Sequence, residues 1–361
     1  AFSKAEELQQ RIWFTLGALL VYRLGTFIPI PGIDPDQLAR IMEQQTQGLL
    51  GMFNMLSGGA VERMAIFALN VMPYISASIL MQVMATVSPK LEALKKEGES
   101  GRKIINQYTR YLTVGLAIVQ SYAIARGLES QAGLIINPGL AFEITTVVTL
   151  TGGVMFLMWL GEQITSRGIG NGVSLIIFAG IVANLLQGFA GTLEMARTGS
   201  ITWFSAMGLY AMVVIVIAFI VFMERAQRRL LVQYPKRQVG NRMFGGDSSH
   251  LPLKLNTSGV IPPIFASSLL VLPLTIAQFN VTNDYLAEAV RLLQHGQPLY
   301  MLLYGILIVF FAFFYTAIVF NPNDTADNLK KYGGFIPGIR PGKNTAEYID
   351  HVLTRPTVIG A

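Results

Sequence analysis

Apolar residues are gathered into long blocks along this 361-residue chain, and the charged residues sit between the blocks. A helix that crosses a bilayer needs roughly 20 mostly apolar residues. Eight blocks qualify, at about 12–31, 64–86, 109–127, 141–163, 173–190, 202–223, 257–279 and 298–320. A ninth starts near residue 356 with PTVIGA. One further apolar stretch, Gln47–Val61 (QGLLGMFNMLSGGAV), is Met-rich but too short to span, because at about 1.5 Å per residue it reaches only about 20 Å. Two readings fit it: an interfacial helix lying on the lipid surface, or a re-entrant segment held inside the protein. The pattern predicts an all-α polytopic membrane protein.

Polar positions inside the blocks narrow the picture. In the second block Asn70, Tyr74, Ser78 and Gln82 recur every four residues, which puts them on one helix face and predicts interhelical hydrogen bonding. One position along, Val71 and Ile75 make an aliphatic pair, and Val173 and Ile177 make another. Such pairs are common in apolar helices and assign no role by themselves. The seventh block opens with Asn256, Thr257, Ser258 and Gly259 and contains Pro262–Pro263, which predicts a bent helix. Arg23 and Glu143 fall within blocks, whereas Glu162 and Glu224 fall at block ends within reach of water. Charge inside a membrane is costly and points to function, but no chain of Asp, Glu and His crosses the bilayer as a proton relay would. Arg23 also fits a snorkelling or helix-pairing role.

Composition supports the membrane reading. The sequence is 52% hydrophobic and 13% charged, with mean hydropathy +0.49 and a formal net charge of +6. Soluble domains carry about 25% charged residues. The absence of cysteine excludes a disulfide framework and a thiolate metal site. The N-terminus (AFSKAEELQQR) lacks a signal-peptide layout, so targeting falls to the first membrane helix. Of the 27 Lys and Arg residues, 21 lie on one side of the predicted spans and five on the other, with Arg23 inside the first span. The positive-inside rule places the basic side, and the N-terminus, in the cytoplasm.

Two segments on that side are long, 224–256 and 321–355. The first has an alternating LLVQY stretch and a Gly-Gly-Asp turn, which predict a hairpin projecting into solvent. The second has a basic tip (GIRPGK) followed by an amphipathic helix. Juxtamembrane charge ordinarily fixes topology and touches anionic lipid. Loops of this length with Gly and Pro punctuation predict instead a docking site for a large anionic partner.

Catalytic patterns fail one by one. His250, His295 and His351 lie on loops without metal-ligand spacing. PGIRPGKN (337–344) has Pro337 where a phosphate loop needs its first Gly, and Asn344 where Ser or Thr would bind magnesium. GIGNG (168–172) is a structural turn between two membrane helices. No convergent acid, base and nucleophile emerges, so the chain is predicted not to be an enzyme and to use no cofactor.

Together, FIPIPGID (27–34), MFNMLSGGA (52–60), MPYISASI (72–79), KKEGESGR (95–102) and FLMWLGEQIT (156–165) resemble the SecY family, the large subunits of bacterial protein-translocation channels. RGIGNGVS (167–174), ERAQRRL (224–230), HLPLKLN (250–256) and VFNPNDTADNLKKYGGFIPGIRPG (319–342) extend the resemblance over essentially the whole chain.

The resemblance implies an inverted-repeat channel in the bacterial cytoplasmic membrane, with eight of the family's ten membrane helices present plus a re-entrant plug at about 48–60. The halves would be 1–190 and 202–361, the second holding three helices of five and lacking the sixth ring residue. Val71, Ile75, Val173, Ile177 and Ile264 fall on pore-ring positions, where an apolar constriction would fit around a translocating polypeptide. Leu49, Leu50, Met52, Phe53, Met55, Leu56, Ser57, Gly58 and Gly59 fall on the plug. Ser76, Gln82 and Asn256 fall on the lateral gate through which membrane segments pass sideways into the lipid bilayer.

Arg228, Arg229, Lys236, Arg237, Arg242, Arg340 and Lys343 fall on the docking loops shared by the ribosome and the SecA ATPase. SecE and SecG are implied as small membrane subunits, and signal sequences and nascent secretory chains as cargo. Such a channel is passive and is driven by its partner. A small-solute secondary transporter is the competing reading, but it calls for a polar midplane site, and the ring positions here are aliphatic.

Overall fold

The computed structural model describes residues 5–38, 59, 64–129, 135–199, 202–234, 237–239, 242–244, 248–256, 262–263, 266 and 298–360. The chain divides into two compact units, one of residues 1–194 and 267–303, the other of residues 195–266 and 304–361.

The first unit is built on α1 (Glu6–Gly25), α2 (Met72–Val87), α3 (Pro89–Lys96), α4 (Glu99–Glu129), α5 (Leu140–Arg167) and α6 (Gly172–Ala183). The further helix α7 (Leu185–Thr198) follows α6 after the single turn residue Asn184. Helix α4 packs on α2 and α5, and α1 packs on α5 and α6. Leu150, Val154, Leu157, Ile164 and Ile176 are buried at these crossings.

The second block departs from the pattern. Its helix begins at Met72, and residues 64–71 form turns. Met64 and Asn70 hold φ of +46° and +53°, a left-handed conformation that Asn tolerates and most side chains resist. Despite this irregular backbone, Ala65, Phe67, Ala68, Leu69, Asn70 and Val71 are buried. The segment is satisfied by pairing. Ile66 donates its N–H to Ile28 (2.9 Å) and Ile30 donates to Met64 (2.9 Å), while Ile136 donates to Gly32 on the other side of the same strand-like segment (3.1 Å). The Phe67 ring completes a stack between Tyr22 of α1 and Phe156 of α5, at 6.0 and 5.8 Å. Asn70 therefore lies before the helix, and the polar stripe on α2 is Tyr74, Ser78 and Gln82.

The second unit contains α8 (Trp203–Arg225), a β-hairpin subdomain, and the helices α10 (Pro322–Lys331) and α11 (Lys343–Gly360). Helix α9 (Pro298–Val319) precedes α10. Strand β1 (Gln227–Gln233) pairs antiparallel with β4 (Ser248–Lys254), from Gln227 opposite Lys254 to Gln233 opposite Ser248. A smaller pair, β2 (Arg237–Val239) and β3 (Arg242–Phe244), lies inside the excursion. The hairpin is thus longer than the sequence pattern alone predicts, with LLVQY on its outer arm, and the Gly-Gly-Asp stretch lies outside the described residues.

Among the described residues, four helical runs are long and apolar enough to cross a membrane: Leu140–Arg167 (α5), Gly172–Thr198 (α6 with α7), Trp203–Arg225 (α8) and Met301–Lys331 (most of α9 with α10). Helix α2 is a shorter apolar helix; its 16 residues reach about 24 Å against a hydrocarbon core of about 30 Å. Helices α1 and α4 begin with charged residues, including Glu6, Glu7, Glu99, Arg102 and Lys103, which shorten their apolar stretches. The stretch 257–279 lies outside the described residues apart from Pro262, Pro263 and Ala266.

Candidate functional site

The two aliphatic pairs both sit where a helix begins. Val71 is the N-cap of α2 and Ile75 lies one turn inside it. Val173 and Ile177 occupy the first two turns of α6, whose N-cap Asn171 accepts a hydrogen bond from the Val173 N–H at 3.1 Å. Val71, Ile75 and Ile177 are buried, and Val173 is half-buried. A β-branched side chain in a first helical turn has few rotamers, so a fixed backbone there gives a fixed apolar surface. Pro73 starts α2 with its φ already set for a helix. Ile264 lies outside the described residues, as do Leu49, Leu50, Met52, Phe53, Met55, Leu56, Ser57 and Gly58. Gly59 is described and buried, at φ +86°.

Of the gate positions, Ser76 is buried on α2 and Gln82 is half-buried two turns further along. Asn256 belongs to the second unit, where its side-chain amide donates to the Glu224 carboxylate at 2.6 Å. That bond joins the end of α8 to the second residue after β4, and the Leu255 N–H donating to Ala226 at 3.0 Å lies beside it. The base of the hairpin is therefore closed by both side-chain and main-chain hydrogen bonds.

The two long loops form one folded body. Leu230 and Val232 of β1 and Leu253 of β4 are buried against Ile336, Ile349, Val352 and Leu353 of the second loop. The loop also adds to the sheet: Gln233 and Phe335 exchange two N–H···O bonds of 2.9 Å each. Gly334 lies under the Tyr234 ring, where a Cβ would come within 2.7 Å of it. At the tip, the Thr345 hydroxyl donates to the Arg340 carbonyl at 2.7 Å and fixes the turn. Arg228, Arg229, Arg340 and Lys343 are exposed on this body. Arg237 and Arg242 lie on β2 and β3, and Lys236 lies outside the described residues. Helix α11 runs unbroken through Pro356 to Gly360, so the apolar PTVIG segment continues the amphipathic helix.

Two ion pairs and one ring contact engage charged residues of the first unit. Arg110 of α4 makes a bidentate ion pair with Glu162 of α5, at 3.1 and 2.7 Å. Arg126 reaches the largely buried Glu143 at 3.4 Å. Arg23 stacks over the Phe27 ring at 4.8 Å, a cation–π contact. The two ion pairs link positions 17 and 52 apart, for which the sequence offers no periodic signal, whereas Arg23 and Phe27 are only four positions apart.

Comparison with known proteins agrees with this geometry. The sequence model of the SecY family matches residues 65–361. A protein translocase subunit SecY from Rickettsia bellii is 57% identical over 366 residues, covering 99% of this chain and 84% of the relative. The SecY subunit of Escherichia coli K12 is 56% identical, covering 98% of this chain and 82% of its own length. A solved protein-conducting channel shares the fold at a TM-score of 0.68 and 15% identity, over 98% of this chain and 83% of that one. Sec61 in a canine ribosome–channel complex from the endoplasmic reticulum shares it at 0.62 and 14%, over 98% of this chain and 84% of that one. The chain belongs to the SecY family.

Proposed function

We infer that this chain is the channel-forming subunit of a bacterial protein translocase, a multi-pass membrane protein that conducts polypeptides and is not an enzyme. The observation that carries the reading is near-full-length identity above half to translocase subunits. The buried, irregular 64–71 segment that feeds the short helix α2 fits it. Backbone of that kind persists at membrane depth only inside protein or beside a cavity. This supports a re-entrant plug at about 48–60 in preference to an interfacial helix. The small-solute transporter reading has no comparable support.

In the proposed arrangement eight helices cross the cytoplasmic membrane, the N-terminus is cytoplasmic, and residues 1–190 and 202–361 are the two halves of the channel. Val71, Ile75, Val173, Ile177 and Ile264 form the constriction around the translocating chain. An aliphatic ring suits this task because it offers a passing peptide no hydrogen bonds that favour one sequence, and a narrow apolar neck disfavours water and ions. Ser76, Gln82 and Asn256 line the lateral gate.

The β-hairpin subdomain is the docking body for a ribosome or a SecA motor, with Arg228, Arg229, Arg340 and Lys343 as its cationic contacts. SecE and SecG complete the complex, and signal sequences enter through the gate. The ribosome-bound state of the Sec61 neighbour supports the ribosome as a partner. Because the subdomain has a core of its own, a partner would meet a rigid surface with little ordering to complete on binding.

The test is cross-linking of a stalled secretory chain in a translocating complex. Contact with both Ile75→Cys and Ile177→Cys is expected. Failure to contact either residue removes the pore assignment.

A further inference from the structure

The turn Gly168–Gly172, between α5 and α6, is held from outside as well as from within. Thr15 of α1 is buried, and its hydroxyl does two things at once. It donates to the Arg11 carbonyl at 2.8 Å and accepts the Ile169 N–H at 3.1 Å. One turn earlier on α1, the Arg11 guanidinium donates to the Gly168 carbonyl at 3.2 Å. Both groups of the turn are reached across more than 150 positions of sequence. On the inner side, the Thr165 hydroxyl accepts the Gly172 N–H at 2.8 Å. Gly172 lies so close to the Gly161 carbonyl that a Cβ would overlap it. Gly168 is crowded by the Thr15 hydroxyl itself. With Asn171 capping α6 at Val173, no residue of the turn lies more than two positions from an anchored neighbour.

We propose that Thr15, with Arg11, is a positioning residue that sets the axial register of α6 and with it the places of Val173 and Ile177. This deepens the pore reading and rests on it. Thr15 and Arg11 reach the turn before one aliphatic pair only, whereas α1 meets the 64–71 segment at Tyr22, about two turns further along, through the Phe67 ring. Val71 and Ile75 are placed by the separate 64–71 segment and its pairing with residues 28–30. Loss of the Thr15 contact should therefore displace one side of the constriction and spare the other. Removing the hydroxyl also leaves the Ile169 N–H without its acceptor, which favours rearrangement of the turn.

Residues 1–361 contain no cysteine, so within them Ile75→Cys or Ile177→Cys is the sole thiol. In the complete channel in native membranes, each is cross-linked to a stalled secretory chain with Thr15 unchanged, and with Thr15→Val or Thr15→Ser. Thr15→Val is isosteric and removes the hydroxyl. It should lower the Ile177→Cys yield about fivefold, the shift expected for loss of one hydrogen bond, while the Ile75→Cys yield stays constant. Thr15→Ser should restore the Ile177→Cys yield. Unchanged yields, an equal fall at both sites, or no rescue by serine would overturn the positioning role. No cross-link at either site with Thr15 intact would instead remove the pore reading, and this proposal with it.

Discussion

Helix α8 and the β-hairpin subdomain, neighbours in one compact unit, bury their apolar residues in opposite senses. On α8, Phe204 is 88% exposed and Ile215 67%, and nearly the whole surface of the helix is aliphatic or aromatic. In the subdomain Ile349 is 0% exposed and Val232 2%, while Arg228, Arg340 and Lys343 face out. A single chemical rule produces both arrangements, because apolar surface leaves water wherever it can. For α8 the surroundings are lipid, so no protein core is needed. For the subdomain the surroundings are water, so two loops separated by the α9 region must supply one another's core. The long loops are thus a folded domain, and a membrane helix need not be buried in protein to be stable.

A buried charge should harm the subdomain most. Ile349→Lys places an unpaired ammonium in the subdomain core and should destabilise it by at least about 3 kcal/mol, seen as rapid proteolysis of the loops in the assembled channel. Truncation comes next. Leu253→Ala should cost about 2–5 kcal/mol by leaving a cavity, whereas Ile215→Ala on α8 opens no cavity and should leave stability within about 0.5 kcal/mol. Equal losses at the two sites would show that α8 is packed against protein.

A smaller effect is expected at the Arg110–Glu162 pair, which is partly exposed. Glu162→Gln should cost about 1 kcal/mol, the upper range for such pairs, read as a lower melting temperature that high salt diminishes. The smallest stability effect belongs to Arg340→Glu, whose side chain is exposed and should change stability by less than about 0.5 kcal/mol. It should nevertheless impair motor-driven translocation while membrane insertion of the channel proceeds normally. Equal losses in both would assign Arg340 to topology.

Hydropathy made the long helices legible, and the alternation of LLVQY with the amphipathic run after Lys343 made the hairpin arm and α11 legible. The start of α2 was not. Residues 64–71 are as apolar as a helix because they are buried, and composition cannot distinguish a buried turn from a buried helix. Two local signals were available: Asn70, a residue tolerant of positive φ, and Pro73, suited to the first turn of a helix. The bond between Glu224 and Asn256, and the joining of the two loops through Ile336 and Ile349, depend on tertiary proximity across 32 to more than 100 residues. No periodicity encodes that. GIGNG was legible as a turn, but its anchoring by Thr15 and Arg11 was not, since neither residue departs from an ordinary helix pattern.

In the proposed channel, the aliphatic pairs at the starts of α2 and α6 form the constriction around the polypeptide. The most direct test replaces Val71, Ile75, Val173 and Ile177 with glycine in the complete channel and measures resting ion conductance across a planar bilayer. A clear rise in leak over the unsubstituted channel is predicted. Unchanged conductance, with the channel correctly assembled, would contradict the account.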